Sequence, residues 1–436
     1  AAGIDAIMPC LVKKLPILIK LLAVLHCLKI TEHLVNMRSV FTIIICVLLQ
    51  TATLNSDIYC DSENETCTRD ISGEKFIFYD VNPPEGFNLR RDVYMRFAIM
   101  LAEAKRNGRK RNWHLVLPPW HNLYHWKNDK SDPIPWSSFF DTVLLKSYTS
   151  VVELHEVFSN IQELKIDRLY VLQNYPNAFE NGDFTEKWKV ADTCNNYERS
   201  FWGYKNISVK EEICINFQGK ISQLWDVIAL HPADKHVMFS NGEIPLHDTY
   251  GTKTYWDSRR SMVFNKQLIE KSEQYISKYL NCHTKLCSNY LSVHWRRQDF
   301  AQYRKNKVPS IAGTARQIDK AIKNFNSYIY KVYVATDAPF SVLRQLETEL
   351  TYYGYTVFYY LPSDDDIETF KDGGLAIIDQ IICSHAAYFI GTHESTFTYR
   401  IQEEREILGF YSTTTFNRFC PDKGQCEKPS KWTIVH

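Results

Sequence analysis

The 436-residue chain has almost no excess of charge: 51 Lys and Arg stand against 50 Asp and Glu, a formal net charge of +1. Bulk nucleic-acid binding needs a cationic surplus, so that class is excluded. Familiar fingerprints are missing too. There is no GxxxxGK[ST] loop and no GxGxxG turn, which removes the main support for phosphate-loop hydrolysis and dinucleotide redox chemistry. No GxSxG elbow occurs, which argues against an α/β hydrolase. No CxxC pair occurs either, so a structural zinc site has no local support. The segment Leu11 to Ile30 carries Lys13, Lys14 and Lys20, and its apolar runs fall short of the ~20 residues that span a bilayer. Stable membrane insertion is therefore not expected, although an anchor there is the alternative reading.

What is present begins with a leader. Residues 1–55 are apolar and hold no aromatic residue but Phe41. From Met37 the chain shows the three parts of a secretory signal: Arg38, the apolar run Val40 to Leu49, and small polar residues after it. The pattern predicts a start at Met37. Nine of the 12 cysteines follow this leader, and in an oxidising lumen their close spacings suggest Cys60–Cys67, Cys194–Cys214, Cys282–Cys287 and Cys420–Cys426 as bridges. Cys383, inside an apolar run, is left as a buried free thiol. Sequons at Asn64 and Asn206 agree with the secretory pathway.

Strand-like runs alternate with helical patterns in both halves, which predicts an α/β fold of parallel units. In the first half 75–81 and 113–120 read as strands, with a helix between them that Asn88 caps and whose apolar positions Leu89, Val93, Phe97, Met100, Leu101 and Ala104 recur at three- and four-residue spacing. The run 168–173 is a third strand, followed by an irregular stretch to about residue 220. The second half repeats the plan with strands at 289–295, 331–337, 355–361 and 388–392. The expected domains are 1–55 (leader), 56–275 and 276–436. Two such units would leave a cleft at the ends of both sheets.

Several residues there could carry chemistry. Glu85 stands between Pro83-Pro84 and Gly86, just ahead of a helix start; it is either a positioned base or a solvated loop acid. "VHWRRQDF" (293–300) places Arg296, Arg297 and Asp299 at a strand end, where a guanidinium suits a diphosphate or simply pairs with the aspartate. In "DGGLAIIDQIICSHAAYFIGTHESTF" (372–397) a Gly-Gly turn precedes a buried-looking Asp379, and Ser395 and Thr396 open a helix that either binds phosphate or is an ordinary cap. Asp364 to Asp366 read as a solvated acidic loop, with a metal-binding DxD motif as the less favoured alternative.

Together "YDVNPPEGFNLRRDVYMR", "LPPW", "LYHW", "IPWSSFFD", "FWGY", "YWDSRRSMVF", "VHWRRQDF", "VYVATDA", "KDGGLAIIDQ" and "STFTYRIQEEREILG" closely resemble the protein O-fucosyltransferase 2 family, in order, from about residue 75 onward. The resemblance implies a GT-B fold of two Rossmann-like domains, with inverting transfer of fucose from GDP-fucose to Ser or Thr of folded thrombospondin type 1 repeats, no required metal or other cofactor, and residence in the endoplasmic reticulum lumen. It puts the catalytic base on Glu85 and donor contacts on Pro84, Gly86, Phe87, Asn88, His294, Arg296, Asp379, Ser395, Thr396 and Phe397. Arg296 would offset charge on the leaving diphosphate. The family usually has an aliphatic residue where Trp295 stands, and strand alternation turns Trp295 away from the pocket. The alternatives are the sister enzyme acting on EGF-like repeats, whose family lacks a Glu at the Glu85 position, a catalytically inactive sugar-nucleotide-binding protein, and an acid-pair glycoside hydrolase.

Overall fold

The computed structural model describes residues 58–60, 67–69, 73–123, 125–126, 132–159, 161–177, 179–180, 183–194, 201–282, 289–325 and 328–436. The predicted leader, Asn64 and Cys287 lie outside these residues. Residues 1–74 and 75–436 are separate compact units. Of the first, Ile58–Cys60 and Cys67–Arg69 pair antiparallel, with Cys60 opposite Cys67 in register.

Among its described residues the second unit contains two large sheets, besides the short pairs of Leu164–Ile166 with Ile207–Val209 and of Phe179–Glu180 with Asp183–Phe184. The larger has seven strands: β1 Lys75–Tyr79, β2 Trp113–Leu117, β3 Val151–Glu153, β4 Arg168–Gln173, β5 Lys187–Ala191, β6 Glu212–Gln218 and β7 His236–Ser240. Their order is β5-β6-β4-β7-β1-β2-β3, parallel throughout except for the antiparallel edge pair β5–β6. The smaller sheet is wholly parallel, β10-β9-β8-β11, from β8 Tyr290–Trp295, β9 Lys331–Thr336, β10 Thr356–Phe358 and β11 Tyr388–Ile390. Every residue of β4 and β8 is buried, as expected for strands covered on both faces. The fold is α/β and GT-B-like, in agreement with the sequence expectation.

Helix α1 (Phe87–Arg106) follows β1. Val93, Phe97, Met100, Leu101 and Ala104 are buried as the spacing predicts, whereas Leu89 is only half-buried; Arg91, Asp92 and Tyr94 are buried as well, because α1 meets both its own sheet and helices from later in the chain. Those are α2 (Lys253–Ser261) and, beyond α3 (Lys266–Leu280), α4 (Gln298–Tyr303), α5 (Ile311–Phe325), α6 (Phe340–Tyr352) and α7 (Asp364–Ser384), the helix α8 (Thr396–Leu408). The expected boundary between 275 and 276 falls inside the continuous helix α3, which packs along α7. One apolar core includes Ile77 and Phe239 of the larger sheet together with Tyr290, Tyr333 and Ile381 of the smaller half.

Four local readings are corrected by the structure. Gly86, not Asn88, is the N-cap of α1, and Asn88 lies inside the first turn with its side chain turned to another helix. The stretch after β4 is not wholly irregular, since it holds β5 and β6. Asp364 to Asp366 form no loop: they open α7 behind Ser363, whose hydroxyl accepts from the Asp366 N–H while Asp366 accepts from the Ser363 N–H. Carboxylates in a first turn face the positive end of the helix, and Lys271 pairs with Asp366 at 2.6 Å. Gly373 and Gly374 form no turn either; they lie within α7, just past a break at Lys371 (φ 56°, ψ 175°). A Cβ on Gly373 would come within 2.6 Å of the Phe139 ring and 2.7 Å of Trp126, so this glycine allows α7 to approach the aromatic cluster of the first half.

Cys194–Cys214 and Cys420–Cys426 are disulfides, and Cys383 is free and buried, as expected. Cys282 is also disulfide-bonded, with its expected partner Cys287 outside the described residues. The side chains of Cys60 and Cys67 lie outside them as well. Among the described residues no helix is long and apolar enough to cross a membrane.

Candidate active site

A turn built by the sequence "VNPPEG" carries Glu85. Its backbone N–H donates to the Asn82 carbonyl at 2.9 Å, closing the turn around Pro83-Pro84, while the Gly86 carbonyl starts the helix by accepting from Leu89 and Arg90. Arg90 then clamps the turn from the helix side. Its Nε donates to the Glu85 carbonyl at 3.0 Å and its Nη2 to those of Val81 and Asn82 at 3.3 and 3.4 Å, with Asp80 at 3.8 Å as counter-charge. Sequence reasoning misses Arg90; the available signal is a cation in the first turn of a helix that follows a loop with no donors from its prolines. The Glu85 side chain itself makes no hydrogen bond or ion pair among the described residues.

The turn forms one wall of a cleft of about 550 Å³. Pro84 to Leu89 stand on that wall; Arg296 follows β8, Asp299 and Phe300 come from α4, Asp372 and Ala376 from α7, Glu394 precedes α8, and Ser395, Thr396 and Phe397 open it. Most of the sequence-predicted residues therefore meet: the run Pro84 to Asn88, Arg296, and the run Ser395 to Phe397. Leu123, His125 and Trp126 complete the rim. Burial and the nearby Arg296 charge lower the His125 imidazole from its usual range.

Arg296 is held rather than loose. Its Nε donates to Asp299 at 3.0 Å and lies 3.1 Å from Asp337, and Nη2 is 2.9 Å from Asp299. The remaining nitrogen, Nη1, has no partner among the described residues. The aspartate pairing weighed from sequence is therefore real, and it aims the guanidinium while leaving one donor pair available. The Arg296 N–H donates to Thr392, whose hydroxyl donates to the His294 carbonyl at 2.7 Å.

His294 stands behind the cleft wall. Its Nδ1 lies 2.8 Å from the Thr398 hydroxyl and its ring stacks on Phe397, with centroids 4.4 Å apart. Thr398 also accepts from the Thr392 N–H at 2.9 Å. Burial, helped by Arg296, pushes the His294 pKa down to about 3, so the ring is neutral. Trp295, the next residue of β8, points to the opposite face, where its Nε1 donates to Thr314. Asp379 does not line the cleft; it accepts from the Tyr333 hydroxyl, and burial raises its pKa to about 7.

Ser395 is the N-cap of α8 but gives the helix no side-chain cap. Uncapped N–H groups at a helix start beside Arg296 favour an anion. A carboxylate lining the same cleft as these donors is the arrangement a group transfer from a phosphate leaving group needs.

The family model for GDP-fucose protein O-fucosyltransferase matches residues 76–408. The chain belongs to this family. It is 38% identical over 401 residues to the GDP-fucose protein O-fucosyltransferase 2 of Homo sapiens, covering 84% of this chain and 91% of the relative. With the enzyme of the same name from Caenorhabditis elegans the identity is 36%, over 83% of this chain and 91% of the other, and with that of Drosophila melanogaster 33%, over 85% of each. Among solved structures, POFUT1 in complex with GDP-fucose aligns at a TM-score of 0.52 and 16% identity, covering 79% of this chain and 98% of that one, which confirms the fold. The protein is thus a GDP-fucose protein O-fucosyltransferase, with GDP-fucose as its donor.

Proposed function

We propose that this enzyme transfers fucose with inversion to a Ser or Thr hydroxyl of folded thrombospondin type 1 repeats, in the lumen of the endoplasmic reticulum. The observation that carries the reading is that the Glu85 carboxylate lines one cleft together with Arg296 and the open start of α8. The acceptor oxygen attacks the sugar carbon from the side facing Glu85, and the bond from that carbon to the phosphate oxygen breaks on the far side. The hydroxyl proton goes to Glu85; the electron pair of the broken bond goes to the diphosphate. Arg296 Nη1 and the N–H groups of α8 meet the charge that develops there. This arrangement supplies positive charge from the chain itself, which supports transfer without a metal ion. His294, stacked on Phe397, and Asp379 act as donor-site residues. Similarity to the enzymes named type 2 supports the thrombospondin-repeat acceptor over an EGF-like one, and the cysteine bridges support a lumenal location.

The test is incubation of purified protein with GDP-fucose and, in separate arms, a folded thrombospondin repeat, the same repeat reduced, and a folded EGF-like repeat. Fucose is expected on the folded thrombospondin repeat alone. Transfer to the EGF-like repeat instead would overturn the acceptor assignment, and no transfer in any arm would favour the inactive alternative.

A further inference from the structure

From the cleft wall inward runs a chain of three side chains that the transfer step above does not use: Asn88, Gln380 and Arg91. Arg91 is fully buried, with its guanidinium against the rings of Phe87, Phe140 and Phe264 at 5.6, 5.4 and 5.1 Å. Its Nη1 donates to Gln380 Oε1 at 2.8 Å and approaches Asn88 Oδ1 at 3.4 Å, while Nε and Nη2 find no partner. A buried arginine so sparsely bonded contributes little to stability by itself. What it does have is a polarity. A guanidinium only donates, so the atom Gln380 turns toward it must be the carbonyl oxygen. The amide nitrogen of Gln380 then faces the other way, and it donates to Asn88 Oδ1 at 2.8 Å.

Asn88 is thereby fixed as well. Two donors, from Gln380 and Arg91, hold its oxygen toward the interior, so its NH₂ group must point outward. That group makes no hydrogen bond among the described residues, and Asn88 lines the cleft. We propose that Arg91 and Gln380 are positioning residues, which lock the Asn88 amide with its N–H donors toward the cleft, ready for an anionic diphosphate oxygen of the nucleotide. Without them the amide could turn over and set a carbonyl against the phosphate. The device also crosses the molecule, since Asn88 and Arg91 belong to α1 and Gln380 to α7. The inference rests on the cleft being the donor site, as proposed above.

Gln380→Glu tests it in a nearly isosteric way. The carboxylate still accepts from Arg91 and pairs its charge, but it has no proton to give Asn88, which must then turn its NH₂ inward and its oxygen into the cleft. Titration calorimetry with GDP is expected to show affinity about tenfold or more weaker, the effect of losing a hydrogen bond to a charged group, with no drop in melting temperature. Adding Asn88→Ala to Gln380→Glu should then cost nothing further, because both changes remove the same contact. A merely structural role would leave GDP affinity unchanged in Gln380→Glu, or make the two losses additive, and either result overturns the proposal. Should Gln380→Glu fail to fold, Asn88→Ala alone decides: the same tenfold loss is expected, and wild-type GDP affinity overturns the proposal. Absence of GDP binding by the wild-type protein is a distinct result that overturns the donor-site reading and the inference with it.

Discussion

Replacing Glu85 with Gln separates base chemistry from binding, and the structure says how cleanly. The loop is held through its backbone, by the Asn82–Glu85 turn and by Arg90 on the Glu85 carbonyl. The carboxylate has no hydrogen bond or ion pair of its own among the described residues. An amide of the same size therefore breaks nothing, and stability should stay within about 0.5 kcal/mol of wild type. GDP affinity should be kept or slightly improved, since a negative charge near the diphosphate is gone. Transfer is different: an amide cannot take the hydroxyl proton, and loss of a general base typically lowers rates about 10²–10⁴-fold, or about 2.7–5.5 kcal/mol in the barrier. Single-turnover transfer of fucose to a folded repeat, measured beside GDP calorimetry, reads the two quantities independently. Retention of more than about a tenth of the wild-type rate by the Glu85→Gln enzyme would refute the assignment and leave Glu85 as an acid that merely sits at a helix start.

Arg296→Ala should behave in the opposite way, weakening GDP binding about 10-fold or more and turnover with it, because Asp299 and Asp337 would then face the diphosphate without their cation; unchanged GDP affinity by calorimetry would assign Arg296 to the aspartate pairing alone. His294 predicts a pH signature. Its folded pKa of about 3 lies below the ordinary 6.5, so between those values the unfolded chain binds a proton that the folded one refuses, and stability falls as pH falls. His294→Asn should remove about 2 kcal/mol of the loss between pH 6.5 and 5, checked by urea midpoints across that range; parallel slopes for the two proteins would contradict a buried neutral ring.

The strands that are legible in the chain are those bounded by clear turns and rich in β-branched and aromatic residues, as in "RLYVLQ" and "KVYVAT". Strand β7, "HVMFS", escapes such a reading although it lies between β4 and β1 in the larger sheet, because a short run covered on both faces carries no periodicity. The edge pair β5–β6 is hidden by polar residues, which an edge tolerates. Site residues that contact the cleft through their own motif, such as Glu85, Arg296 and Ser395, can be named from the chain, since strand ends and helix starts are visible locally. Arg91 and Gln380 cannot be paired in that way, being 289 residues apart with no local sign of contact. The glycines at 373 and 374 mislead for the same reason: a local reading sees a turn, whereas the small size of Gly373 answers to Phe139 and Trp126 from far away in sequence.

The two helices whose starts converge on the cleft are also tied together one turn below it. Asp92 of α1 accepts from Arg96 at 2.7 Å, with His247 at 3.2 Å and Arg400 of α8 at 3.4 Å, and these partners hold its carboxyl well below the usual range despite its burial. Arg400 pairs in turn with Glu403 at 2.9 Å. Glu403 accepts from the Tyr255 hydroxyl and from Arg259 Nε at 2.8 Å, while Arg259 Nη2 reaches Glu404 at the same distance. Each of these charges is buried or nearly so, and each has a partner, so removing any one would strand the others in a medium that solvates charge poorly. Such a network adds little to stability over an apolar core of the same volume, but it is intolerant of sliding, because buried ion pairs repay their desolvation only where the geometry is kept. That intolerance has a use in the cleft. Glu85 stands at the head of α1 and amides without a side-chain cap at the head of α8, and the proposed reaction needs proton acceptor and leaving-group site at a set separation. The buried pairs fix α1 against α8 directly beneath them, so the separation is built into the folded chain before either substrate arrives.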